Sequence, residues 1–195
     1  MQRIILHWTA GADGVNSVEA DAYHFIVGRD GEVTNGKDRV ASNYPPLVSG
    51  KYAAHTLNLN SYSIGVALDG MAGAVERPFD AGRYPITDVQ IDAMAELVAG
   101  LCEQYAIPVT RRTVLSHAEV ERTLGVKQRN KWDIMWLPGM AQAGDPIVIG
   151  DKLRAMIAAK MQKPPVADHV PVTAPIAPQG GIWAALTAFL KRWMK

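Results

Sequence analysis

The sequence predicts an α/β domain, a central mixed β-sheet flanked by helices, followed by a C-terminal linker and a short amphipathic helix. Three observations carry that expectation. Short apolar runs of strand length are separated by turn signals, one long helical period opens on a capping box, and the composition turns proline-rich near residue 163. With 195 residues the chain has length for one good core and a short appendage.

RIILHW at 3–8 is a short β-rich apolar run. YHFIVG at 23–28 leads into Arg29-Asp30-Gly31, a turn followed by Glu32-Val33-Thr34, so a strand, a helical or loop excursion and then a hairpin are expected. SIGVAL at 63–68 is a further strand closed by Asp69-Gly70, and TVLSHAEV at 113–120 begins as another. Between these two, Thr87 and Gln90 make a Thr-x-x-Gln capping box. Ile91, Met94, Leu97, Val98, Leu101 and Tyr105 then recur at the spacing of an amphipathic helix that ends before Pro108. Cys102 lies on or beside that apolar face and reads as a small buried hydrophobe; as the single cysteine it excludes an intrachain disulfide. A second helix, 149–161, offers Leu153, Met156 and Ile157 to the sheet.

Prolines at 164, 165, 171, 175 and 178, with Gly180-Gly181, mark an extended linker over 163–181 and leave 1–162 as the folded domain. Residues 182–195 place Ile182, Trp183, Leu186, Phe189, Leu190, Trp193 and Met194 on one helical face, with Lys191, Arg192 and Lys195 and no acid. Such a basic amphipathic helix suits an anionic membrane or lipopolysaccharide surface, or alternatively docking on its own domain or self-association. No apolar run approaches the roughly 20 residues that span a bilayer. MQRIILHWTA lacks the basic region, long apolar stretch and cleavage site of a secretory signal, so synthesis is expected to leave the protein in the cytoplasm. Gly28–Gly31 has no dinucleotide-binding context and reads as a hairpin turn; neither a nucleotide site nor a nucleic-acid partner is expected.

His7 and His117 sit at or just beyond strand ends, and Asp133 follows in NKWD. Two imidazoles and a carboxylate are the donor set of a hydrolytic zinc site that keeps one position for water. On spacing alone the two histidines read equally well as satisfied core or surface residues. If residues 131–133 are extended, Lys131 and Asp133 share a face. Trp132 and Trp136 flank Asp133 and read either as an apolar wall against sugar or peptide, or as packing of that loop. His24 follows Tyr23, so alternation turns it away from any cleft Tyr23 faces and gives it a structural reading; His169, in the linker, reads as solvated.

HWTA at 7–10, YHFIVGRDG at 23–31, AAHT at 53–56, SIGVALDG at 63–70, SHAEV at 116–120 and KWD at 131–133 form an ordered set across about residues 1–160. In these pieces the chain resembles the type-2 N-acetylmuramoyl-L-alanine amidases, zinc amidases that include phage endolysins and share their fold with peptidoglycan recognition proteins. The resemblance implies that His7, His117 and Asp133 bind one Zn2+ ion and that Tyr23 and Lys131 assist catalysis; His55 resembles a family position lining the substrate groove and reads equally as a plain loop residue. It also implies hydrolysis of the amide joining N-acetylmuramic acid to L-alanine in peptidoglycan, in a phage or prophage lytic setting. A non-catalytic peptidoglycan-binding module and a cytoplasmic muropeptide-recycling amidase are the alternatives. Two departures stand out. TLGVKQRN lengthens the interval from His117 to Asp133, and SIGVAL carries Ala67 where some relatives place a glutamate, leaving Tyr23 as the polar partner.

Overall fold

Five strands, β1 (Arg3–Trp8), β2 (Phe25–Val27), β3 (Val33–Asn35), β4 (Ser63–Leu68) and β5 (Val114–Ser116), form one sheet in the order β3-β2-β4-β1-β5. The computed structural model describes residues 1–162; the linker expected at 163–181, with His169, and the helix expected at 182–195 lie outside the described residues. β1 pairs in parallel with β4 and β5, and β2 in parallel with β4, while β2 and β3 make the antiparallel hairpin expected around Gly31. The sheet is therefore mixed, and helices flank it. Every residue of β4 is buried, as a central parallel strand covered on both faces requires.

The crossovers are helical. α1 (Ser17–Ala22) fills the excursion after β1, opened by Asn16, whose side chain accepts from the Val18 and Glu19 amides. α2 (Asp88–Tyr105) starts at the predicted box: Thr87 accepts from the Gln90 amide and Gln90 returns the bond. Gln90 does more than cap. Its buried amide also donates to the carbonyls of Val27 and Asp69, fastening the helix start to the ends of β2 and β4. Met94, Val98 and Leu101 of α2 pack in the main core with Ile4, Leu6 and Trp8, and Cys102 lies buried among them. Burial pushes the Cys102 thiol up to about 12, so it behaves as an apolar group.

α4 (Pro146–Met161) begins three residues before the expected start, because Asp145 caps it and Pro146 opens the first turn. Leu153 and Ile157 complete the same core, with Met156 partly buried against it. TVLSHAEV divides differently from a simple strand: β5 stops at Ser116 and α3 (His117–Leu124) starts at once. Glu119 drives the change, since its carboxylate accepts the Ser116 amide at 2.8 Å and closes the first helical turn. On that side of the sheet Ile5, Leu115 and Val120 form a smaller apolar cluster.

No helix among the described residues is long and apolar enough to cross a membrane.

Candidate metal centre

Strand alternation sends Ile4, Leu6 and Trp8 into the core under α2 and α4, and turns Ile5 and His7 to the opposite face. There His7 is fully buried and lies beside Ala67 of β4 in register. α3 delivers His117 as its first residue, so the turn locked by Glu119 also aims this ring. Asp133 arrives from the loop between α3 and α4, which carries no strand. Arg129, Asn130 and Ile134 have positive φ there, so the chain bends on either side of Asp133 and drives the carboxylate inward. Lys131 stays exposed while Asp133 is buried, rather than the two presenting equally on an extended face.

Three donor atoms meet. His7 Nδ1 lies 3.0 Å from His117 Nδ1 and 3.4 Å from Asp133 Oδ2, and His117 Nδ1 lies 3.1 Å from Asp133 Oδ2. Tetrahedral zinc with bonds of about 2.0–2.1 Å sets its ligand atoms roughly 3.3–3.4 Å apart, so the triangle fits such an ion after small adjustments. These residues are the one trio of potential ligands brought together in this way among the described residues.

Electrostatics prepare the same atoms. Burial holds the His7 imidazole down to about 4 against the opposing Asp133 hydrogen bond, with His117 and Lys131 adding to the lowering. His7 is therefore neutral at pH 7, the form that ligates a metal. Burial alone would raise the Asp133 carboxyl, but the hydrogen bonds and charges of His117 and His7 together hold it well below the usual carboxylate range.

Each imidazole turns Nδ1 to the shared point and Nε2 outward. His7 Nε2 lies 3.2 Å from His55 Nδ1 and 3.4 Å from Thr56 Oγ1. His117 Nε2 lies 2.9 Å from Gln128 Oε1. Gln128 and Thr56 were not singled out from sequence. The signal for Gln128 was the lengthened interval that contains it; Thr56 gave none.

His55 is buried against His7, with 6 % of its surface exposed, so it can meet a groove only by an edge. Gly65 makes that position available, since a Cβ there would fall 2.5 Å from the His55 ring. Burial first, then His7 and His24, keep the His55 imidazole well below its ordinary pKa. Tyr23 closes α1 rather than starting a strand, and its ring centroid stands 5.2 Å from that of His7. Its hydroxyl donates to the Trp8 carbonyl at 3.4 Å, and burial, followed by Asp133, raises its pKa, so it stays protonated. Trp132 packs edge-on against Trp8 with centroids 4.7 Å apart, half-buried beside the site. Trp136 is stacked on Phe79 and donates to the Met140 carbonyl, which makes it part of the loop's own packing. His24 is structural: its Nδ1 accepts from the Gly65 amide and its Nε2 meets Asn43 Oδ1.

Comparison with known proteins follows the same lines. A profile of the N-acetylmuramoyl-L-alanine amidase family matches residues 1–139. No curated protein matches the chain. Among solved structures, the amidase LysC from Clostridium intestinale URNW is similar at 17% identity and a TM-score of 0.47, covering 80% of this chain and 85% of that one. The Ph2119 endolysin from a Thermus scotoductus bacteriophage is similar at 21% identity and a TM-score of 0.44, over 83% of this chain and 85% of that one. The amidase AmiD from E. coli, solved with a muropeptide substrate, is similar at 22% identity and a TM-score of 0.40, over 60% of this chain and 48% of that one. With the profile spanning most of the described residues and enclosing His7, His117 and Asp133, the chain belongs to the N-acetylmuramoyl-L-alanine amidase family.

Proposed function

We propose that this chain is a zinc-dependent N-acetylmuramoyl-L-alanine amidase that cuts the amide between the lactyl group of N-acetylmuramic acid and L-alanine in peptidoglycan. The observation that carries the reading is the convergence of His7 Nδ1, His117 Nδ1 and Asp133 Oδ2 within 3.0–3.4 Å of one another. Two imidazoles and a carboxylate around one buried point are the donor set of a hydrolytic zinc site. A module that only binds peptidoglycan has no use for that arrangement.

His7, His117 and Asp133 would hold the ion. Bound there, zinc would supply a Lewis acid that brings the pKa of a water to about 7 and polarises a carbonyl. The chain's own groups meet the rest of the demand. As water adds, negative charge grows on the carbonyl oxygen, and Lys131, close enough to depress the His7 pKa, offers an ammonium to it. The Tyr23 hydroxyl, kept protonated beside His7, is a second donor once it exchanges its long bond to the Trp8 carbonyl for the oxyanion. Trp132 supplies an apolar flank for the sugar or peptide. The carbon–nitrogen bond then breaks, the water oxygen stays with the lactyl carbonyl, and a proton from that water passes to the L-alanine nitrogen, which departs as the amine.

Lys131→Ala is expected to lower turnover by about 10²–10³-fold with zinc content unchanged, because an exposed ammonium acts on the developing oxyanion and not on the ligands. Turnover assays with metal analysis check this; full activity with stoichiometric zinc removes the role. The function itself is tested by following new L-alanine amine termini released from purified sacculi. Release should stop on chelation and return with added zinc. Chelator-insensitive release overturns the metal, and absence of new termini overturns the amidase. The motifs shared with endolysins support a lytic, phage-type setting, and faster turnover of intact sacculi than of soluble muropeptide is the result expected of it.

A further inference from the structure

We propose that Gln128 is a positioning residue that fixes His117 in the one neutral tautomer able to ligate through Nδ1, a role that rests on the zinc reading above. The argument is one of hydrogen-bond inventory. Gln128 is 3 % exposed, so its amide must be satisfied inside the protein. Its Nε2 lies 2.9 Å from the Leu57 carbonyl and 3.2 Å from the Val126 carbonyl. Both oxygens can only accept, so the NH2 group must face them, and Oε1 must be the atom 2.9 Å from His117 Nε2. Oε1 in turn can only accept. His117 Nε2 therefore carries a proton, and in the neutral ring Nδ1 is left with a lone pair facing His7 and Asp133.

The orientation of the Gln128 amide allows no free choice. Flipping the Gln128 amide would set its oxygen against two carbonyls and its NH2 against the ring. The side chain is held at its root as well, since the Gln128 amide N–H donates to Glu121 Oε2 at 3.1 Å from the exit of α3. The interval that lengthens the path from His117 to Asp133 thus folds back to touch the first of those residues. His7 has a comparable arrangement, with His55 Nδ1 and Thr56 Oγ1 at its Nε2, but a hydroxyl can donate or accept, so its tautomer is not forced in the same way.

Two variants separate this role from simple loop tethering. Gln128→Leu removes both the acceptor and the two donors, whereas Gln128→Glu keeps an acceptor for His117 and loses the donors to Leu57 and Val126. Zinc affinity, measured by chelator competition, should fall about 10–100-fold in Gln128→Leu and be largely retained in Gln128→Glu. Nitrogen-15 NMR of the metal-free wild-type protein should show His117 protonated at Nε2, a readout that needs neither metal nor activity and that stands if the leucine variant fails to fold. Wild-type affinity in folded Gln128→Leu, an equal loss in both variants, or a proton on His117 Nδ1 overturns the proposal. A wild-type protein that takes up no zinc removes the metal reading, while the tautomer measurement still judges Gln128 by itself.

Discussion

His117→Ala is expected to cut zinc occupancy to a small fraction and turnover by about 10³-fold or more. Two ligands, His7 and Asp133, would remain, and a hydrolytic zinc site ordinarily needs three to hold the ion while leaving a position for water. The loss should be specific. His117 is the first residue of α3, but the bond that starts this helix runs from the Ser116 amide to Glu119, and alanine is the best helix former. The variant should therefore keep the wild-type far-ultraviolet dichroism and lose its metal. Metal analysis, turnover on sacculi and dichroism on the same preparation check the outcome. Stoichiometric zinc together with wild-type turnover would remove His117 from the ligand set.

Glu119→Ala should cost about 3–5 kcal/mol of folding stability, the largest effect expected outside the site. Glu119 is fully buried and pairs bidentately with Arg154 of α4, Oε1 to Nη2 at 2.8 Å and Oε2 to Nη1 at 3.2 Å. Arg154 also donates to the Val114 carbonyl of β5 and to Asp151, so one guanidinium joins two helices and a strand. Burial raises the Glu119 pKa, while Arg154 and the Ser116 amide oppose it. Gly150 completes the fit, for a Cβ there would lie 2.1 Å from the Glu119 carboxylate. Removing the carboxylate leaves a buried cation short of its main partner and deletes the lock on the first turn of α3. Zinc affinity should fall with stability, because that turn aims His117. Replacing both partners by apolar residues, Glu119→Leu with Arg154→Met, should recover part of the loss, since the unpaired charge is then gone. Urea unfolding of the two variants beside wild type measures this; a Glu119→Ala midpoint equal to wild type would show that the pair is not structural.

Much of the frame was legible in local sequence. Thr87 and Gln90 announced α2, its apolar residues at helical spacing formed the core face, and SIGVAL appeared as the fully buried strand β4. Arg29-Asp30-Gly31 marked the β2–β3 hairpin. These signals survive folding because caps, turns and amphipathic periods act between residues a few positions apart. α3 was hidden for the same kind of reason. Ser116 to Glu119 is a capping box, but it begins inside an apolar β-rich run, and a strand of three residues leaves too short a period to show where one element ends.

By itself the sequence determined which residues could donate to a metal and that a strand would carry His7, since side-chain chemistry and short-range spacing do not depend on the rest of the chain. Only the tertiary structure decided which face of β1 His7 takes, for a central parallel strand is apolar on both faces and its alternation gives no direction. It also decided that both imidazoles offer Nδ1 and not Nε2. The partners at the outward Nε2 atoms, His55 and Thr56 for His7 and Gln128 for His117, lie far away along the chain and reach the rings only when the loops around the sheet have closed.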